Sequence, residues 1–162
     1  MKLIFDFDYT LFRANKLREA IRDFYRTCGV TDEIFQTTFE TSRMAGRDWK
    51  PEVQLALFER GGIIDIAACR KGLGDILQSC GKFLYEDTIL VLGALREDHQ
   101  LFLVSHGEDS FQNAKVGASG IASFFQEVII TDDVTKVVPL SNIVGSEGKG
   151  SVFIEDNPLA LV

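Results

Sequence analysis

Two carboxylates two residues apart open the chemistry of this chain: an apolar run at the N-terminus ends in Asp6-Phe7-Asp8-Tyr9-Thr10. On an extended strand, alternation puts Asp6 and Asp8 on the same side. Carboxylates held that close repel each other unless a cation or a shared proton intervenes. One of them can attack or bind metal while the other gives and takes a proton. An isolated Asp-x-Asp is common on surface turns, so the weight comes from its company. Leu101-Phe102-Leu103-Val104 leads into Ser105-His106-Gly107, a hydroxyl followed by backbone N–H groups suited to an anion. Thr131-Asp132-Asp133-Val134-Thr135-Lys136 carries a lysine, and Val152-Phe153-Ile154 runs into a second acidic pair, Glu155-Asp156-Asn157-Pro158. Acids for a hard cation, a hydroxyl and N–H groups for an anion, and a lysine to offset charge together describe phosphoryl transfer.

The elements that must carry these residues are legible as well. Lys2–Phe7, Gln100–Val104, Glu127–Thr131 and Ser151–Ile154 read as β-strands bounded by turn or polar residues. Helical patterns cover Asp109–Ser119 and Val137–Val144. Strands alternating with helices predict a parallel sheet, α/β and Rossmann-like, with ligands at the carboxyl ends of the strands. From Ala14 to about Tyr85 the pattern is helical throughout. Leu17, Ala20, Ile21, Phe24 and Tyr25 mark one amphipathic helix stopped by Gly29. Thr31 caps a second, and Pro51 opens a third that ends at Gly61-Gly62. A fourth region, Ile63 to Cys80, is interrupted by Gly72 and Gly74. The segment therefore reads as a helical insertion between the first strand and the rest of the sheet.

With these motifs in order, the sequence resembles the haloacid dehalogenase (HAD) superfamily of phosphohydrolases. The resemblance rests on Asp6-Phe7-Asp8-Tyr9-Thr10, Ser105-His106-Gly107, Lys136 and Glu155-Asp156-Asn157-Pro158. It implies a catalytic core over residues 1–13 and 86–162 and an all-helical cap over 14–85. It implies that Asp6 is the nucleophile, that Asp8 acts as acid and then base, and that Thr10 steadies them by hydrogen bonding. Ser105, with His106 and Gly107 beside it, would hold phosphate oxygens, and Lys136 would tie nucleophile to phosphate. Mg²⁺ would be held by Asp6, the Asp8 carbonyl and Asp156, with Glu155 assisting. Lys136 is followed by Val137-Val138-Pro139, where the family often has proline directly, so Lys115 and Lys149 stay open as alternatives. Family members usually continue with another strand and helix, so the C-terminal end of the core reads as truncated at Val162, with Ser151–Ile154 left as an edge.

Length and composition bound the rest. The 162 residues suit one domain with a modest insertion. Lys plus Arg number 17 against 24 Asp plus Glu, a net charge of −7 that disfavours a nucleic-acid surface. Cys28, Cys69 and Cys80 read as reduced thiols, with neither a disulfide framework nor a zinc site. The longest apolar stretch, Ile89 to Leu95, is far short of the ~20 residues that span a bilayer. The expectation is a soluble cytoplasmic protein with no membrane partner, acting on a small phosphate ester of unspecified identity. Dehalogenation competes within the superfamily, but it needs neither Asp8 nor the acidic Glu155-Asp156. A phospho-receiver domain competes from another class, yet the 105 − 8 = 97 residues separating Asp8 from Ser105 exceed its ordinary connections. A catalytically weak binding protein that retains the site is a third reading. His106 is taken to point to solvent and Gly145–Gly150 to be a turn; Arg43, Arg47, Trp49 and Lys50 are read as solvated surface, with facing the substrate from the cap as the alternative.

Overall fold

A computed structural model describes residues 1–43, 48–62, 65–145 and 150–158. Four short strands, β1 (Lys2–Phe5), β2 (Gln100–His106), β3 (Glu127–Thr131) and β4 (Ser151–Ile154), pair in parallel in the order β3-β2-β1-β4. Apolar side chains suit both faces of such a sheet, because helices cover them. Consecutive strands lie on either side of β1, and the switch in order falls where β1 ends and Asp6 begins.

Seven α-helices lie among the described residues: α1 (Ala14–Thr27), α2 (Asp32–Ser42), α3 (Pro51–Arg60), α4 (Ile66–Gln78), α5 (Thr88–Asp98), α6 (Asp109–Ser119) and α7 (Val137–Val144). The caps follow the local chemistry. The Thr31 hydroxyl accepts from the Ile34 amide at 3.3 Å, and Pro51 occupies the first turn of α3. One apolar core runs from Leu3, Phe5 and Leu103 of the sheet through Phe7 and Phe12 to Leu17, Ile21, Tyr25 and Phe58 of the helical segment. A smaller one packs Ile143 of α7 on Ile4, Phe102 and Val104.

The two ends of the helical segment are stitched to each other. Phe12 pairs with Leu84 in a short antiparallel bridge, Arg13 N–H donates to the Phe83 carbonyl at 2.8 Å, and the Thr88 hydroxyl donates to the Leu11 carbonyl at 3.1 Å. The chain thus leaves the sheet after β1 and returns beside its point of departure.

Several sequence expectations need correction. β1 stops at Phe5, not Phe7, and β2 runs two residues further than Val104, through His106. Gly72 and Gly74 do not interrupt α4. A Cβ on Gly72 would fall 2.0 Å from the Phe24 ring, so this glycine lets α4 pack closely on α1 without interrupting the helix. Helix α5 was not anticipated, because its apolar run has no helical periodicity and leaves Ile89 and Leu90 exposed. The three cysteines are free, and burial pushes the Cys69 and Cys80 thiols up to about 12 and about 11. Among the described residues no helix is long and apolar enough to cross a membrane.

Candidate active site

The segments that leave the carboxyl ends of the four strands meet at a cavity of about 570 Å³, which α1, α2 and the residues before α3 close from the other side. Asp6 lies at its floor, 4% exposed. Its amide donates to the Ile154 carbonyl at 2.9 Å, which pins the residue to the end of β4. Its carboxylate accepts from Lys136 Nζ at 2.5 Å. Lys136 precedes α7 with φ of 56°, on a turn that Asp133 organises by accepting from the Thr135 amide and hydroxyl at 2.9 and 2.7 Å. The same ammonium donates to Glu155, whose other oxygen accepts from the Asn157 amide at 3.0 Å. The lysine that reaches Asp6 is therefore Lys136. Lys115 goes elsewhere, and Lys149 lies outside the described residues.

Asp6, Glu155 and Asp156 bring one carboxylate oxygen each to within 4.8 Å of one another. Burial lifts Asp6 from its ordinary 3.8 to about 7, outweighing the lowering by Lys136. Asp156 is also raised, by burial and then by Glu155. With one ammonium among three carboxylates, the cluster holds 3 − 1 = 2 uncompensated negative charges when fully ionised. An all-oxygen donor set with that excess fits a hard divalent cation such as Mg²⁺. The Asp8 side chain is not part of this cluster; the resemblance assigned the metal its backbone carbonyl.

Because β1 ends before Asp6, strand alternation no longer governs Asp8, and the two carboxylates meet different lysines. Both Asp8 oxygens accept from Lys115 Nζ, at 2.8 and 2.7 Å, and Gln112 Nε2 adds a third bond at 2.9 Å. Lys115 is 3% exposed and lies against the rings of Phe7, Phe12 and Phe111 at 5.1 to 5.6 Å. Gln112 also donates to the Ser105 hydroxyl at 2.8 Å and to the His106 carbonyl at 3.0 Å. Gly107 makes room for it, since a Cβ there would meet Gln112 Cγ at 2.5 Å. Sequence reasoning missed Gln112 and kept Lys115 only as an alternative. Their signal was the i, i+3 spacing on α6, directly after the Ser105 motif.

The remaining expected residues are placed less simply. Ser105 is wholly buried and does not line the cavity, although accepting from Gln112 leaves its own proton free to donate. The Gly107 amide is spent on the Thr131 carbonyl at 3.0 Å, so it is not the free anion donor expected. The Thr10 hydroxyl is buried without a hydrogen-bond partner, contrary to its expected bond to the aspartates. His106 does not simply face solvent: its Nδ1 lies 3.2 Å from Asp48, and both line the cavity. Trp49 is half-buried and lines it, Arg43 lines it while remaining exposed, Lys50 is exposed, and Arg47 lies outside the described residues.

The sequence matches no protein-family model and no curated protein. The fold, by contrast, is well represented among solved structures. A haloacid dehalogenase-like hydrolase from Burkholderia xenovorans LB400 superposes with a TM-score of 0.74 at 20% identity, covering 96% of this chain and 71% of that one. The HAD-like hydrolase YfnB of Bacillus subtilis, solved bound to magnesium, gives 0.61 at 17% over 96% and 78%. A 2-haloacid dehalogenase from Pseudomonas syringae gives 0.63 at 17% over 97% and 78%. The chain has the haloacid dehalogenase fold, a parallel α/β sheet flanked by helices.

Proposed function

We propose that this protein is a Mg²⁺-dependent hydrolase of a small phosphomonoester, with residues 14–85 serving as its cap. The observation that carries the reading is the buried Asp6 held by Lys136 within a cluster of three carboxylates, at the carboxyl end of the central β1. Mg²⁺, held by Asp6 and Asp156 with Glu155 beside them, would supply charge neutralisation at the phosphoryl oxygens. Asp6 attacks phosphorus, the bond from phosphorus to the ester oxygen breaks, and the departing alcohol takes a proton. Water then attacks the aspartyl-phosphate, which frees Asp6 and inorganic phosphate. Asp8 carries the proton in both halves: it gives one to the leaving oxygen and takes one from the attacking water. Lys115 and Gln112 set the orientation from which it works. Lys136 keeps Asp6 and Glu155 in place as charge builds.

Hydrolytic dehalogenation is the second reading, supported by the names of structural neighbours such as the Pseudomonas syringae dehalogenase. There Asp6 would displace halide from carbon, and no metal would be needed. The two readings separate cleanly. A panel of phosphomonoesters and 2-chloropropionate, each with Mg²⁺ and with chelator, is assayed for phosphate and chloride. Phosphate release that needs Mg²⁺ is expected. Chloride release that ignores the chelator, with no phosphate from any ester, would establish the second reading instead.

A further inference from the structure

Among the described residues four cations line the cavity, and two of them are committed: Lys136 to Asp6 and Glu155, Lys115 to Asp8. Arg18 and Arg43 hold no carboxylate among the described residues. Each guanidinium instead lies 5.5 Å from the centre of the Phe39 ring. Phe39 packs against Trp49 at 5.5 Å between ring centres. The Trp49 indole is locked in turn, donating at 2.9 Å to Gln54, a fully buried amide that donates to the Phe35 carbonyl and the Thr38 hydroxyl. The helical side of the cavity thus offers a rigid aromatic surface flanked by two uncommitted cations.

The sheet side contributes Tyr9. Its φ of 64° puts a bulky residue in the left-handed region, where glycine or asparagine is at ease and tyrosine is strained. The turn holds it there, with the Tyr9 amide donating to the Phe12 carbonyl at 2.7 Å. The residue is 47% exposed and belongs to neither apolar core, so packing does not account for it. The turn needs the left-handed backbone but not a tyrosine side chain, and a strained, exposed tyrosine lining this cavity points to a role with the ligand.

We infer that Tyr9, Trp49, Arg18 and Arg43 form the leaving-group subsite, and that it selects phosphomonoesters whose alcohol part is flat and carries a second negative charge. This rests on the phosphatase reading for the phosphoryl end. A flat ring gains from aromatic neighbours beyond the area it buries. A carboxylate or second phosphate suits the planar fork of a guanidinium.

Calorimetric binding of three non-hydrolysable ligands, with Mg²⁺ present, tests this: propylphosphonate, benzylphosphonate and 4-carboxybenzylphosphonate. The parent protein is expected to bind them in rising order, each step worth about three- to tenfold. Tyr9→Gly and Tyr9→Asn, both suited to the left-handed backbone, should lose the benzyl-over-propyl step while their thermal midpoint rises. Arg18→Ala combined with Arg43→Ala should lose only the carboxylate step. Parent affinities within twofold for all three ligands, or Tyr9 variants that keep the benzyl preference, overturn the inference. Hydrolysis of the matching phosphate esters is read separately. Hydrolysis without ligand preference removes the subsite and leaves the phosphatase reading standing. Preference without hydrolysis upholds the subsite and removes that reading.

Discussion

At the scale of single residues, the site is a contest between burial and charge, decided differently at its two aspartates. Asp8 is surrounded by donors and held from two positions of α6. Asp6 has one ammonium, which it shares with Glu155, and burial prevails by lifting it to about 7. An acid whose folded-state pKa lies above its unfolded value holds its proton more tightly when folded. Its contribution to stability is therefore greatest at low pH, and is lost as pH rises from about 4 through about 7. Each unit of that shift is about 1.4 kcal/mol. With Mg²⁺ present, Asp6→Asn should release no phosphate, whereas metal-free it should be more stable than the parent at pH 8, with the two converging towards pH 4. Denaturant midpoints across that range, taken in chelator, check it. A difference that does not change with pH would mean that Asp6 is not destabilised by its burial.

At the scale of elements, α4 shows two glycines with opposite roles in one helix. Gly72 faces the Phe24 ring, whereas nothing lies within 4 Å of a Cβ on Gly74. Gly72→Ala should cost about 1–3 kcal/mol through overpacking, and Gly74→Ala should stabilise by up to about 1 kcal/mol through helix propensity. Urea unfolding of the two variants is the comparison, and equal effects of one sign would contradict the packing. The same pair marks how far sequence reading reached. Strands β3 and β4 and helices α6 and α7 were legible to the residue, because period-2 and period-3.6 patterns end at turn residues there. Lys136 and the acidic cluster were legible because strand ends converge in a parallel sheet. Gly72 was not, since a glycine that breaks a helix and one that lets two helices touch look alike without the partner ring. The pairing of Asp8 with Lys115 and Gln112 was hidden similarly, across more than a hundred residues of chain.

At the scale of the molecule, the four-stranded sheet sets both stability and chemistry. β1 is paired on both sides, by β2 and β4, while β4 has β1 as its only partner among the described residues. An edge strand opens more readily than a central one. Amides of Val152 to Ile154 should therefore exchange with solvent faster than those of Leu3 to Phe5, and equal protection would place β4 inside a wider sheet. Because Asp156 follows β4 and Asp6 follows β1, the cluster spans an edge strand and a central one. The central claim, that Asp6 receives the phosphoryl group, has one direct measurement: peptide mass spectrometry after acid quench of the protein turning over a phosphomonoester with Mg²⁺. The account predicts a phosphoryl group on Asp6, absent in chelator. Phosphate release with Asp6 never modified, or modified by carbon in place of phosphorus, would contradict it.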